Sequence, residues 1–333
     1  MDTLYVTEPG ACVRREGQRF SVWKGKHRLA SVAAFDVTQV VLFGNVSVTP
    51  AALFEALRKG VDLVLLSRTG TYRGRLVGPD RQNVILRQMQ FRRFEDDAFR
   101  LNTARAFVRG KIRNMRTLLM RWGRRRRMDM ASAAHRLRFL GERASRVDSP
   151  ESLRGIEGAT TALYFQGYRE FLPAAFRLKT RNRRPPKDPA NAMLSFGYAL
   201  LAGDIESAVY RVGLDPYMGY LHLVDYGRPS LALDLMEEFR PVIVDAFVLD
   251  LLTHGRMHPG DFESRDGGVF LAGEGRKRYI AAYQERVLTE IQYPMGKDGV
   301  QKVTYRRCFE LQVRVLARVI RGDDAAYLPF LVR

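Results

Sequence analysis

The spacing of apolar residues changes once along the chain, near residue 86, and this change is what most restricts the possible folds. Before it, short β-branched runs such as VTQVVLFGNVSV alternate with glycines, a pattern typical of short strands and hairpins. After it, apolar residues recur at helical spacing over most of the remaining sequence. We therefore predict an α+β fold with a small β-rich domain, residues 1–86, followed by a larger and mostly α-helical domain, residues 87–333.

Three helix starts can be read from the sequence. The run TPAALFEALRKG, residues 49–60, predicts one helix within the β-rich domain, with threonine as its cap, proline at its first position and glycine after its end. The run DSP, residues 148–150, predicts the start of a helix that extends to about Leu172. Asp188 or Asn191 is expected to cap the helix that follows the proline-rich segment RNRRPPKDPAN.

The chain carries a large positive charge. Its 55 Lys and Arg residues exceed its 36 Asp and Glu residues, which gives a formal net charge of +19 at pH 7. Basic residues dominate between Arg105 and Arg143, and the run Arg124 to Arg127 is uninterrupted. A solvated helix face would explain that run alone. Together with the net charge, however, it favours contact with a polyanion, either a nucleic acid or an acidic membrane surface, and phosphate contact is the better hypothesis.

The sequence lacks the features that define several classes of protein. No apolar run approaches the roughly 20 residues of a membrane-spanning helix. The first residues also lack the basic and apolar segments of a signal peptide, so we expect a soluble cytoplasmic protein with no membrane partner. Walker, GxGxxG and GxSxG motifs are absent, so the sequence does not support nucleotide hydrolysis, hydride transfer or serine esterase chemistry.

Residues 221–241, LHLVDYGRPSLALDLMEEFRP, contain acids where a core helix would have none. We predict that GRPS forms a turn whose Ser230 caps the next helix. On that helix three carboxylates at positions i, i+3 and i+4 share one face: Asp234, Glu237 and Glu238. Like charges this close repel one another, so the face is either solvated or one side of a cation site.

His222 lies just before that turn and adds an imidazole to the carboxylates. Such a mixed set of nitrogen and oxygen donors suits Mn²⁺ or Mg²⁺ better than structural zinc. An ion bound there could polarise a phosphodiester and activate water or a hydroxyl group. Alternatively, His222 is a buried core histidine and the acids form a solvated face; the spacing alone leaves both possibilities open.

A further acid, Glu157, lies in the apolar stripe of the helix that begins at residue 150. Burying an unpaired carboxylate costs several kcal/mol, so Glu157 should have a cation, a metal ion or a proton as its partner. A structural ion pair with one of the many arginines is the alternative to a metal.

Several motifs spread along nearly the whole chain are informative in combination: SLRGIEGATTALYF, RRPPKDPANAMLSFGYALL, DPYMGYLH, GRPSLALDLMEEFRP and GVFLAGEGRKRYIAAYQERV. Together they resemble the CRISPR-associated integrase and endonuclease family that captures new spacers. The resemblance implies an amino-terminal β-sandwich-like domain that supports dimerisation, and a mostly α-helical catalytic domain.

The resemblance also implies a metal site and its residues. One divalent ion, Mn²⁺ or Mg²⁺, would be held by Glu157, His222 and Glu237. Asp234 would belong to the same catalytic set, as a supporting group or an alternative ligand.

The reaction implied by the resemblance is a transesterification of DNA. The 3′ hydroxyl of a captured double-stranded DNA fragment would attack a phosphodiester at the edge of a CRISPR repeat, and water in its place would give a DNase. The family works as a homodimer together with a small ferredoxin-like adaptation subunit. Two alternatives remain open: a metal-dependent repair nuclease for branched DNA, and a non-enzymatic basic scaffold that binds DNA.

Overall fold

The chain, for which a computed structural model describes residues 2–68, 70, 72–76, 78, 83–182, 184–294 and 299–332, divides into two compact units. The first comprises residues 1–82 and 276–284, and the second comprises residues 83–275 and 285–333. Strands dominate the first unit and helices the second, so the predicted α+β class is confirmed. Within the described ranges, none of the helices combines the length and the apolar composition needed to cross a membrane.

The described part of the first unit contains two four-stranded sheets. Their strands are β1 (Asp2–Val6), β2 (Cys12–Glu16), β3 (Arg19–Lys24), β4 (His27–Ala33), β5 (Val37–Phe43), β6 (Ser47–Val48), β7 (Asp62–Leu66) and β8 (Tyr72–Leu76). In the order β1-β5-β7-β8, the first two pairings are parallel and the last is antiparallel. In the order β4-β3-β2-β6, the first two pairings are antiparallel and the last is parallel.

Both sheets contribute to one apolar core, as expected of a β-sandwich-like unit. Val22 of β3 and Val40 of β5 are buried in the same cluster, together with Ala52 of helix α1 (Pro50–Lys59). The predicted ends of α1 are confirmed: Thr49 accepts a hydrogen bond from the N–H of Ala52, and Gly60 closes the helix at φ +66°.

The second unit is built mainly from helices. They are α2 (Val84–Glu95), α3 (Asp97–Arg126), α4 (Ala131–Ala144), α5 (Pro150–Tyr168), α6 (Pro189–Val212), α7 (Ser230–Met236), α8 (Ala246–Thr253), α9 (Gly273–Leu288) and α10 (Tyr305–Arg321). Residues 276–284 of α9 belong to the first unit. Two hairpins complete the second unit: β9 (Phe262–Arg265) with β10 (Gly268–Leu271), and β11 (Glu290–Pro294) with β12 (Val300–Thr304).

The long helix α3 packs against α4, α5 and the segment after α7, and thereby places the later acids beside its buried face. The predicted start of α5 is confirmed, because Ser149 Oγ accepts a hydrogen bond from the N–H of Ser152. A 3₁₀ turn continues α5 to Phe171, close to the predicted end. Of the two candidate caps for α6, the structure uses Asp188, which accepts from the N–H of Asn191 at 2.8 Å.

Candidate active site

Residues 230–245, which we call the acidic segment, differ from the predicted helix in two ways. Ser230 does not cap α7 but is its first residue, and its hydroxyl donates to the carbonyl oxygen of Leu223 at 2.8 Å. The helix ends at Met236, and a π-helix from Arg240 to Asp245 follows. Pro241 lacks the N–H that an α-helix would need at its position, which is a physical reason for the interruption.

The three carboxylates of this segment therefore do not share one helical face, and the prediction that they would is wrong. All three are buried, so the solvated-face alternative is wrong as well. Asp234 contacts the loop before α7, Glu237 contacts α3, and Glu238 contacts the end of the chain. Mutual repulsion is avoided because each acid has its own donors.

Asp234 orients the predicted histidine ligand. It is fully buried and accepts hydrogen bonds from the backbone N–H groups of Tyr220, Leu221 and His222 at 2.6, 2.9 and 2.9 Å. Its Oδ1 also lies 2.6 Å from Nδ1 of the His222 ring. A carboxylate only accepts hydrogen bonds, so we assign the ring proton to Nδ1, which leaves Nε2 available to a cation. A β-carbon at Gly219 would meet Asp234 at 2.7 Å, so this close approach requires glycine.

Glu237 is surrounded by positive groups. Its Oε1 accepts a hydrogen bond from Arg240 Nε at 2.9 Å and lies 3.8 Å from His222 Nε2. Its Oε2 lies 2.6 Å from Lys111 Nζ. Burial opposes its ionisation, but the charges of Arg240 and Lys111 outweigh burial and hold the pKa of Glu237 well below its usual value. The side chain is therefore a carboxylate at neutral pH.

Glu157 meets its expected cation, but the partner is a lysine and not an arginine. Its Oε1 forms an ion pair with Lys111 Nζ and accepts a hydrogen bond from the hydroxyl of Thr161 at 2.9 Å. The side chain of Glu157 is 28% exposed, whereas that of Lys111 is 5% exposed. The structure thus brings Glu157, His222 and Glu237 to one place, with the Lys111 ammonium between the two glutamates.

Lys111 and Arg240 are the site residues that sequence reasoning missed. A signal for Lys111 was present, because it occupies a position in the apolar stripe of α3 formed by Phe107, Met115 and Leu118. A lysine in such a stripe needs a buried partner, just as Glu157 does. Arg240 follows Glu237 by three residues, but the helix break hides this relation in the sequence.

The donor set fits a divalent cation, although the side chains do not now form a closed ligand shell. Among the described residues, no three His, Cys, Asp or Glu side chains are grouped in a way that could hold a metal ion. The position between Glu157 and Glu237 is taken by Lys111 Nζ. Glu237 Oε2 is nevertheless buried and, within the described part of the chain, has no partner in hydrogen-bond geometry. Two carboxylates and one imidazole remain a suitable set for Mn²⁺ or Mg²⁺.

Another buried acid, Asp245, lies at the end of the π-helix and is linked to Arg240 through Tyr198. It accepts hydrogen bonds from the hydroxyls of Tyr198 at 2.5 Å and Tyr164 at 2.8 Å. The guanidinium of Arg240 lies 4.7 Å from the centroid of the Tyr198 ring. Burial raises the pKa of Asp245 to about 6, against the lowering effect of these hydrogen bonds.

Glu238 fixes residues 327–332, which we call the C-terminal segment. It accepts hydrogen bonds from the hydroxyl of Tyr327 at 2.8 Å and from the N–H of Phe330 at 2.9 Å. Asn114 of α3 donates to the carbonyls of Glu238 and Phe330 at 2.8 and 2.9 Å, and accepts from the N–H of Val332 at 3.0 Å. Burial raises the pKa of Glu238 to about 8. Its role is therefore structural.

The basic run from Arg105 to Arg143 divides into buried and exposed parts. Lys111 is buried in the candidate site, and Arg105 donates to the backbone carbonyl of Val147 at 3.0 Å. The four arginines Arg124–Arg127 are exposed at the end of α3. Arg109, Arg113 and Arg116 of the same helix are exposed as well, so all of these arginines are candidates for phosphate contact.

Comparison with protein families and curated proteins gives the following. A family model described as "CRISPR associated protein Cas1" matches residues 4–285. A "CRISPR-associated endonuclease Cas1" of Thermus thermophilus is 40% identical over 333 residues, which cover 99% of this chain and 97% of that protein. A "CRISPR-associated exonuclease Cas4/endonuclease Cas1 fusion" of Geobacter sulfurreducens is 40% identical over 339 residues and 99% of this chain, which spans 60% of the length of that relative.

Solved structures share the fold. A casposase bound to an integration product superposes with a TM-score of 0.86 at 22% identity, over 100% of this chain and 95% of the casposase. A Cas1 protein from Thermotoga maritima gives 0.83 at 24% identity, over 97% of both chains. A chain of a Cas6-RT-Cas1–Cas2 complex gives 0.82 at 24% identity, over 98% of this chain and 36% of that one.

Proposed function

Because the chain belongs to the Cas1 family of CRISPR-associated proteins, we propose that it is a metal-dependent DNA endonuclease and integrase of CRISPR adaptation. It joins the 3′ hydroxyl ends of captured double-stranded DNA fragments to a CRISPR repeat. Relatives that are 40% identical over 99% of the chain are named endonucleases, which supports nuclease chemistry. The observation that carries the proposal is the meeting of Glu157 and Glu237 at one buried ammonium group, with His222 beside Glu237.

The metal ligands are Glu157, His222 and Glu237, and the ion is Mn²⁺ or Mg²⁺. Held by these three residues, such an ion would polarise the scissile phosphodiester and stabilise the charge of its pentacoordinate transition state. Asp234 acts through His222, since it fixes both the ring and the backbone of that residue. Such carboxylate support of a ligating histidine sets its tautomer and orientation.

Arg240 controls the charge of Glu237 in the candidate site. Arg240 remains hydrogen-bonded to Glu237 Oε1 and keeps that carboxylate ionised.

In strand transfer, the 3′ oxygen of the fragment bonds to phosphorus while the bond between phosphorus and the 3′ oxygen of the repeat breaks. The attacking hydroxyl loses its proton to solvent and the leaving oxygen gains one. One phosphodiester replaces another, so no ATP is needed.

The assembly we propose is a homodimer bound to a small ferredoxin-like adaptation subunit, with two dimers flanking one dimer of that subunit. A Cas6-RT-Cas1–Cas2 complex contains a chain with this fold, which supports a multi-subunit arrangement. Phe35 and Phe54 of the first unit are 69% and 68% exposed. Exposed aromatic side chains of this kind suit an interface, which agrees with the dimerisation that the family resemblance implies for the β-rich unit.

An integration assay tests the function. The full chain and its adaptation subunit are mixed with a plasmid that carries a CRISPR repeat, a DNA fragment with 3′ hydroxyl ends, and Mn²⁺, Mg²⁺ or EDTA. We expect joined products with either ion and none with EDTA. Cleavage without joining would favour a repair nuclease for branched DNA, and DNA binding without any metal-dependent product would favour a scaffold.

Matched variants locate the site in the same assay. Glu157→Gln, His222→Ala and Glu237→Gln should each lose joined products while DNA binding persists. Glu151→Gln is the control, because Glu151 lies on the same helix as Glu157 but pairs with Arg154 at the surface. Full strand transfer by any of the three site variants would remove that residue from the site.

A further inference from the structure

Lys111 is the least expected residue of the site. It lies in the middle of α3 with its side chain 5% exposed, and its ammonium group contacts carboxylates from two other parts of the chain, Glu157 and Glu237. A buried lysine loses its hydration and its side-chain freedom, and only well-placed carboxylates offset this loss. The burial of Lys111 therefore depends on its ion pairs with Glu157 and Glu237.

The carboxylates depend on Lys111 in the same way. Without a cation between them, Glu157 and Glu237 would be like charges facing each other in a poorly hydrated place. Arg240 cannot replace Lys111, because its Nε donates to the other oxygen of Glu237. Lys111 thus holds the two glutamates together in the protein without metal.

We propose that Lys111 is an internal competitor for the metal position: its ammonium group occupies the place between Glu157 and Glu237, and a divalent ion binds only when it withdraws. This inference rests on the proposed function, which assigns both glutamates to the metal. Two cations cannot share the same pair of oxygens at contact distance without strong repulsion. Lysine suits the exchange because it carries a compact charge on a flexible stem of four carbons.

Competition makes the measured metal affinity weaker than the ligands alone would give. The ion must replace the Lys111 contacts as well as its own water. Removing the ammonium group should therefore tighten metal binding while it destabilises the metal-free protein. A lysine that supported the metal site, or only the fold, would have the opposite effect or no effect on affinity.

The test is calorimetric titration of MnCl₂ into the full chain after EDTA treatment and dialysis. Lys111→Met keeps the length of the side chain and removes its charge. We expect its dissociation constant for Mn²⁺ to fall by about tenfold or more, its melting temperature in EDTA to fall, and its stabilisation by Mn²⁺ to grow. Lys187→Met is the control, since Lys187 Nζ donates to the carbonyl of Gly267 at 2.8 Å; it should bind Mn²⁺ like the wild type.

An unchanged or weaker affinity of Lys111→Met for Mn²⁺ would overturn the competition but leave the metal site in place. Absence of Mn²⁺ binding in both the wild type and the variant would instead overturn the proposed function. If Lys111→Met does not fold, Lys111→Arg decides the question. Arginine keeps the charge but is less able to withdraw from paired carboxylates, so its Mn²⁺ affinity should be weaker than that of the wild type; equal or tighter binding would contradict the proposal.

Discussion

Four donor atoms of three consecutive residues converge on Asp234, and this makes it the main organiser of the loop that carries His222. The carboxylate replaces the hydrogen bonds that buried backbone N–H groups would otherwise lack. Positioning a histidine through its second nitrogen is a common way to prepare a metal ligand. If the proposed metal site is correct, the stability of the loop and the affinity for the metal are linked at this one residue.

We expect Asp234→Ala to lower the free energy of unfolding by roughly 3 kcal/mol and to weaken Mn²⁺ binding by about 10- to 100-fold. Denaturant unfolding and calorimetric titration measure the two effects. Asp225→Ala, an exposed acid of the same loop, should change stability by less than about 0.5 kcal/mol. A stable Asp234→Ala variant with normal Mn²⁺ affinity would contradict this assignment.

Asp245 makes stability depend on pH in an unusual direction. Its pKa in the folded protein is about 6, above the usual value for an aspartate, so the folded state binds its proton more tightly than the unfolded state. The resulting stabilisation is fully present below the unfolded pKa and is lost as the pH rises through 6. We expect the wild type to lose roughly 2 kcal/mol relative to Asp245→Asn between pH 4 and pH 7.

Unfolding curves for the wild type and Asp245→Asn across that pH range measure the effect. Their difference removes the contributions of all other titrating groups. A difference that does not change with pH would show that Asp245 is ionised throughout.

At the scale of elements, α3 is the support on which the acidic segment and the C-terminal segment both rest. Gly110 permits this packing, because a β-carbon there would lie 2.6 Å from Pro329 and 3.4 Å from Glu238. The clash should outweigh the gain in helix propensity that alanine brings.

Gly110→Ala should therefore destabilise the protein by about 1–3 kcal/mol in denaturant unfolding. Gly203→Ala is its matched control, since Gly203 lies in α6 with nothing within 4 Å of a built β-carbon. That change should be neutral or stabilise by up to about 1 kcal/mol. Equal effects of the two substitutions would mean that the C-terminal segment is loosely packed.

Elements with local signals could be predicted from the sequence. The ends of α1 and the start of α5 follow from caps and prolines, and these predictions are confirmed. The segment after α7 could not be predicted in the same way, because the contacts of its acids are with residues that are distant in the sequence. Lys111 and Phe330 lie 126 residues before Glu237 and 92 residues after Glu238, respectively. Periodicity reports the local helix but not such distant partners.

At the scale of the whole molecule, the family resemblance indicated by the motifs is confirmed by a family model that matches residues 4–285. The motifs indicated the family, whereas the spacing of apolar residues did not, because a family pattern includes segments that are distant in the sequence. The assignment of Glu157, His222 and Glu237 as metal ligands stays a prediction, as does the dimer.

The net charge of +19 predicts DNA binding that weakens steeply with salt. If the protein neutralises six to ten phosphates, its affinity for duplex DNA should fall by about 10³- to 10⁵-fold between 50 and 200 mM salt. The slope of log affinity against log salt measures the number of contacts.

Replacing Arg124 and Arg126 together by alanine should reduce that slope by about 2, since each phosphate contact contributes about 0.9. Replacing Arg318 and Arg321 is the control, because these arginines pair with Asp324 and Asp323 at 2.7 Å each. A slope that the first pair does not alter would place the DNA elsewhere.

The hydrogen bonds of Glu238 to the C-terminal segment also affect the order in which the protein can fold during its synthesis. A ribosome makes Glu238 long before Tyr327 and Phe330, its partners in the finished protein. Since folding can begin while a chain is still being made, strands β1 to β8 can pair early, whereas their unit gains residues 276–284 later and Glu238 gains its partners later still. A nascent chain thus lacks the partners of Glu238 until residues 327–330 have been made, and a chain cut after Gly322 should bind Mn²⁺ more weakly than one that extends to residue 333.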